Sequence, residues 1–134
     1  MNLMVDILKK ELMLDFDTAV KRVEKIVSEE GFNVMLVKPI DEIFKKKLGI
    51  KNYPKYTTIL ACGAEFAKAA LDVSKDVGLL FPCSFVVYEE GDKIYVSLTS
   101  IMKIAPEIGF ASHEDMKPVI EMTGKAVHAA WDRF

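Results

Sequence analysis

Cys62 and Cys83 carry the strongest chemistry in this chain of 134 residues. Cys62 stands between a predicted strand and the start of a predicted helix. A thiol there is expected to have a lowered pKa, because free helix amides and the helix dipole favour the thiolate. Cys83 opens the next strand and is held by Pro82. If the two strands are neighbours, the sulfurs approach, although a disulfide needs Cα atoms within about 7 Å. Small buried hydrophobe, reactive thiol or reversible dithiol, and ligand contact all stay open for the pair. No CxxC or HxxxH spacing completes a metal site, so neither a metal nor a cofactor is expected. His113 and His128 fall in or near the last helix, where surface or capping roles account for them. Glu65, beside the Cys62 turn, is explained as an acid in a first helical turn. Glu89 falls near the tip of a hairpin, opposite Ile94. There is no Ser-His-Asp order, glycosidase-like carboxylate pair or P-loop.

The elements that must position the cysteines are organised around residues 78–99. Residues 84–90 and 93–99 are rich in β-branched and aromatic side chains and flank Gly91-Asp92. A two-residue loop with Gly first suits a type II′ turn. That loop sets Glu90 opposite Lys93, Tyr88 opposite Tyr95, Val87 opposite Val96 and Phe85 opposite Leu98. Alternation then gives one core face, with Phe85, Val87, Ile94, Val96 and Leu98. The other face carries Tyr88 and Tyr95 side by side. It reads as a half-solvated sheet face, a subunit interface or a pocket wall.

The rest of the chain follows in order. Residues 5–14 read as a strand, with a short helix as rival. A helix opens near residues 16–18 with Asp17 as its expected N-cap. It buries Ala19, Val20, Val23, Ile26 and Val27 and stops at Gly31. Residues 32–38 form a strand expected to be covered on both faces. A short helix over 41–48 turns Ile40, Ile43, Phe44 and Leu48 inward, with Lys45, Lys46 and Lys47 as a solvated run. Residues 56–62 form a strand, and a helix over 64–77 packs Phe66, Ala67, Ala70 and Leu71 inward. Residues 101–110, broken by Pro106 and Gly109, are expected to be a crossing loop or one loose turn. The last element is a long helix starting near Asp115, because Pro118 is tolerated only in a first turn. It buries Val119, Ile120, Thr123, Ala126, Val127, Ala130 and Trp131. Strands ending in a closing hairpin and a terminal helix predict an α+β two-layer sandwich with a mainly antiparallel sheet, as one domain over residues 1–134.

Composition narrows the function classes. Half of the residues are apolar and 28% are charged, with a net charge of −2, which gives no general attraction to nucleic acid or anionic membranes. No apolar run reaches the length of a membrane span. Residues 1–6 have no basic stretch or cleavage site, so a secretory leader is not expected. Cytoplasmic location with reduced thiols follows as the expectation.

Two signatures are now in place. One is Ile59-Leu60-Ala61-Cys62 followed by a helix. The other is Gly78-Leu79-Leu80-Phe81-Pro82-Cys83-Ser84-Phe85-Val86-Val87-Tyr88-Glu89. With Gly31-Phe32 and Lys46-Lys47-Leu48-Gly49, they resemble the domain of unknown function family number 302 over roughly residues 16–99. The resemblance implies an α+β fold related to the TATA-binding-protein-like class, and a homodimer, without an established activity. The family pattern has Asn-Pro after the first cysteine where this chain has Gly63-Ala64. It often has Asp-Pro after the hairpin where this chain has Ser100-Ile101. Fold analogy alone does not license nucleic-acid binding.

Together these observations predict a homodimeric small-ligand binding or accessory module, with its site near Cys62, Cys83, Pro82 and Glu65. A thiol-dependent redox enzyme is the first alternative. A structural interaction protein using the Tyr88/Tyr95 face is the second.

Overall fold

Side-chain alternation along five strands decides which face of the sheet the helices cover. The computed structural model describes residues 7–134. Residues 1–6, and with them the start of the strand expected over 5–14, lie outside that range. The strands are β1 (Ile7–Leu12), β2 (Asn33–Pro39), β3 (Tyr56–Cys62), β4 (Cys83–Glu90) and β5 (Lys93–Thr99). They lie in the order β1-β5-β4-β3-β2, and every neighbouring pair is antiparallel. The helices are α1 (Phe16–Glu29), α2 (Ile40–Leu48), α3 (Ala64–Val73), α4 (Ile101–Glu107) and α5 (His113–Arg133). The expected two-layer α+β sandwich is the observed architecture.

The hairpin register is the expected one, with Tyr88 opposite Tyr95, Val87 opposite Val96 and Phe85 opposite Leu98. Among the described residues Gly91 is the only one of the two loop positions at positive φ (64°), as a type II′ turn requires. The same parity carries through the sheet, since Ile59 faces Phe85 and Lys10 faces Val96. Phe85, Val87, Ile59 and Val96 are therefore fully buried, and they share one core with Val23 and Val27 of α1 and Met116 and Val119 of α5. Fully burying such a side chain contributes roughly 1.5–3 kcal/mol. The opposite face adds none of Tyr56, Leu60, Val86, Tyr88 or Tyr95 to that core.

Helix ends depart from expectation for local reasons. Asp15, not Asp17, caps α1: its Oδ1 accepts from the Thr18 amide at 2.9 Å and its Oδ2 from the Thr18 hydroxyl at 2.8 Å. Phe16 is already buried against the core, and the first turn starts two residues earlier than expected. The acids at the other end of α1, unfavourable for the dipole, meet a cation from α5. Arg133 donates to Glu29 at 2.7 Å and to Glu30 at 2.9 Å. The α5 end is also tied to β1, where Lys10 Nζ donates to the Trp131 carbonyl at 2.7 Å.

Three further expectations are corrected. β2 is an edge strand and is not covered on both faces; Met35 and Leu36 are exposed, and the pairing with β3 slips by a bulge between Val34 and Leu36. α2 buries none of its residues, and Leu48 is exposed, so this helix lies at the margin instead of in the layer. The helix expected over 64–77 ends at Val73, where Ser74 turns extended and caps a 3-10 segment over Lys75–Leu80.

The most consequential difference is α4. Pro106 and Gly109 read as breakers, yet Ser100 Oγ caps the helix at the Lys103 amide (3.4 Å), and Pro106 falls in the last turn, just before the stop. Gly109, at φ 83°, closes it. The long helix likewise starts at His113, two residues before the expected Asp115, with Ser112 accepting from the Asp115 amide at 3.1 Å. Pro118 is exposed there and removes one amide without disturbing the core. Val119, Thr123, Val127 and Ala130 are buried as expected, while Ile120, Ala126 and Trp131 are half-buried.

Candidate functional site

Cys83 and Cys62 come together through sheet register. Ala61 pairs with Cys83 across β3 and β4, which places Cys62 one residue beyond that pair, where β3 gives way to α3. Both cysteines are free thiols; Cys83 is buried and Cys62 half-buried. They line one pocket of about 30 Å³, closed by Phe66 of α3, Phe81 before β4, Met102 of α4 and Thr123 of α5. Its floor is the core: Phe66 packs on Phe32 with tilted rings at 5.2 Å, and Phe32 meets Phe85 edge-on at 5.8 Å. The Thr123 hydroxyl is spent on its own helix, donating to the Val119 carbonyl at 3.0 Å. No buried polar side-chain atom is left without a partner among the described residues. The pocket is thus apolar and soft, with thiols as its distinctive groups.

The helix start does not activate Cys62. Its thiol lies 3.9 Å from the Gly63 carbonyl and donates towards it. Burial pushes the Cys62 thiol above its ordinary value. Burial, with a smaller contribution from the neighbouring Cys62, pushes Cys83 up to about 11. The lowered pKa expected at the strand-to-helix turn is therefore reversed, because burial disfavours the charged thiolate. Both groups are neutral thiols near pH 7.

The turn itself is built around an absent side chain. A Cβ on Gly63 would lie 2.5 Å from the Phe66 ring and 2.8 Å from the Gly31 carbonyl oxygen. Gly at this position lets α3 start flush against the α1–β2 turn. Pro82 follows a cis Phe81–Pro82 bond just before β4, and Phe81 rather than Pro82 lines the pocket. Glu65 is exposed in the first turn of α3 and does not line the pocket. His113 pairs with Glu107 at 2.8 Å, bridging α4 and α5, and His128 is exposed and borders a different concavity. Glu89 is half-buried opposite Ile94, at the expected register.

Met102 is the pocket residue that sequence reasoning missed. It is buried, in the first turn of α4. Its signal was available only through that helix, and Pro106 and Gly109 concealed the helix. Among the described residues, no group of three or more His, Cys, Asp or Glu side chains is placed to hold a metal ion.

The opposite sheet face carries a tyrosine ladder. Tyr56 stacks on Tyr88 at 5.7 Å, and Tyr88 meets Tyr95 at 5.7 Å. Lys9 Nζ sits 4.3 Å from the Tyr95 ring centre and 5.4 Å from that of Tyr88. Its interaction with Tyr88 raises its pKa, so the cation is held on the face. Leu36 on β2 and Ile7 on β1 extend the face to both edges as exposed apolar groups. No helix among the described residues is long and apolar enough to cross a membrane.

This architecture is shared. The crystal structure of an uncharacterized conserved protein, DUF302, from Bacillus stearothermophilus superposes with a TM-score of 0.83, covering 95% of this chain and 96% of that one at 20% identity. At that identity the likeness is one of fold. No curated protein matches the chain. The family profile described as "Domain of unknown function DUF302" matches residues 8–134, well past the segment that carries the sequence motifs. The chain belongs to this domain of unknown function family, DUF302.

Proposed function

We propose that the protein is a small-ligand binding or accessory module whose site is the pocket lined by Cys62 and Cys83. The observation that carries this reading is the convergence of both motif cysteines, from different strands, on one apolar concavity that the half-buried Cys62 leaves accessible. At about 30 Å³ the pocket admits one small occupant; cofactor-sized sites run to about 300–1,000 Å³. Both thiols are taken as reduced, as in the cytoplasm. Redox catalysis is the weaker reading, because a nucleophilic thiol must be ionised near neutral pH and burial opposes that at both positions.

Xenon is the suitable first probe, since it enters small apolar cavities without needing a polar partner. Amide spectra recorded under xenon pressure should shift at Cys62, Phe81, Cys83 and Thr123, and Ala67→Leu, which adds bulk to the lining, should remove the response. Absence of shifts at these residues, or shifts that survive Ala67→Leu, would overturn the site.

A second reading concerns assembly. The Tyr56–Tyr88–Tyr95 ladder, with exposed Leu36 and Ile7 at the two edges, supports a second copy of this chain as the occupant of that face. Light scattering of Tyr95→Glu should report monomers where the parent reports dimers; a parent that is monomeric, or a variant that still dimerises, removes this reading.

A further inference from the structure

Three sulfur-bearing residues from three separate segments line the Cys62/Cys83 pocket. Cys62 ends β3, Cys83 begins β4, and Met102 lies in the first turn of α4. We propose that these three side chains form a binding site for a soft monovalent cation, copper(I). This inference deepens the ligand-binding reading above and rests on it.

Ligand type selects the ion. Two thiolates and a thioether are soft donors, which favour copper(I) over hard cations. Structural zinc takes four ligands, and no further His, Cys, Asp or Glu side chain lines this pocket. His113 is engaged with Glu107, and His128 belongs to another concavity. A d10 monovalent ion accepts two or three sulfurs, which is what the pocket holds. Its small volume suits a bare ion and excludes a hydrated divalent one. Half-buried Cys62 offers the first contact from solvent, and buried Cys83 and Met102 complete the set.

The binding step balances without redox change. Copper(I) displaces one proton from each cysteine, forms two Cu–S bonds, and gains the neutral Met102 sulfur as a third donor. Two protons pass to solvent per ion bound, as thiolate ligation requires. The resulting centre carries one net negative charge. It lies next to the start of α3, whose N-cap Gly63 supplies no side-chain oxygen to the first-turn amides. Unsatisfied amides at a helix start favour an anionic neighbour.

The test titrates the reduced full chain with copper(I), anaerobically, against a coloured copper(I) chelator. X-ray absorption then counts the sulfurs. The expected result is one ion per chain, three sulfur ligands and two protons released. Cys62→Ala should abolish stoichiometric binding. Met102→Leu conserves volume and should weaken binding by roughly tenfold or more, since losing even an outer-shell partner costs about 10–100-fold. Thermal unfolding of both variants confirms that they fold. Failure to bind copper(I), binding that survives Cys62→Ala, equal affinity in Met102→Leu, or zinc bound as tightly as copper would each overturn the proposal. Failure with copper while xenon still marks the pocket would overturn the ion and leave the ligand site standing. Failure of both probes would remove both.

Discussion

Replacing Gly63 by Ala tests whether the cysteine-bearing turn is as tightly built as its distances indicate. The added Cβ would meet the Phe66 ring at 2.5 Å and the Gly31 carbonyl oxygen at 2.8 Å. Neither neighbour is free to yield. Phe66 is buried and packed on Phe32. Gly31 holds a positive φ of 93° in the α1–β2 turn, so its carbonyl moves only with the backbone. Overpacking of this kind costs about 1–3 kcal/mol, and the backbone contact points to the upper half of that range. Gly124 is the internal control. It lies within α5 with nothing inside 4 Å of its ideal Cβ, so Gly124→Ala should stabilise by about 0.5–1 kcal/mol through helix propensity. The two identical chemical changes should therefore differ by roughly 2–4 kcal/mol in opposite directions. Urea unfolding followed by circular dichroism, at one fixed protein concentration, reads both. With a slope of about 1–3 kcal/mol per molar, Gly63→Ala should move the midpoint down by about 1 M and Gly124→Ala slightly up. A Gly63→Ala midpoint at or above the parent's, with an unchanged slope, would refute the packing described for this turn.

Three other outcomes follow from named groups. The Cys83 thiol is raised by burial to about 11 from an ordinary 9.0; the unfolded chain therefore ionises first, and stability should fall between about pH 9 and pH 11 by something on the order of 2–3 kcal/mol. Stability-versus-pH curves of the parent and Cys83→Ala check this, and identical curves would contradict it. With both thiols pushed up, iodoacetamide at pH 7 should alkylate Cys62 no faster than a small free thiol and Cys83 only on unfolding; mass spectrometry of the labelled peptides decides it, and a fast-reacting cysteine would restore the redox reading. Ser112→Ala removes the acceptor of the Asp115 amide at the start of α5 and should cost about 1 kcal/mol in the same urea assay; no loss would mean that His113–Glu107 alone holds that helix start.

The hairpin was legible because two constraints agreed. The Gly91-Asp92 loop and the alternation of Phe85, Val87, Val96 and Leu98 specify the same register, and a slip of one residue would turn the core face to solvent. The α1 and α5 stripes were legible for a similar reason, since their 3.6-residue spacing depends on no other element. Coverage was harder to read. β2 is as apolar as a central strand, but its place at the sheet edge is a property of topology, which Val34, Met35, Leu36 and Val37 do not encode locally. α4 was hidden because Pro106 was read as a breaker, whereas a proline in the last turn of a seven-residue helix removes only one bond.

The site shows the same division. That Cys62 precedes a helix was readable, and the sign of its pKa shift was not, because the sign depends on what covers the thiol. A helix start lowers a thiol pKa when the sulfur faces the free amides and water. Here the sulfur points towards the Gly63 carbonyl, with Phe66, Phe81 and Met102 lining the same pocket. Desolvation then sets the direction. Of the three elements that bring those side chains, α3 and α4 each pack against the segment before β4 and against α5. The glycine that lets α3 approach and the serine that caps α4 each serve that convergence. A cluster assembled from separate segments, with no spacing motif, is what a sequence motif search cannot find. What Cys62, Cys83 and Met102 share is the pocket they line, which no one of their local sequences encodes.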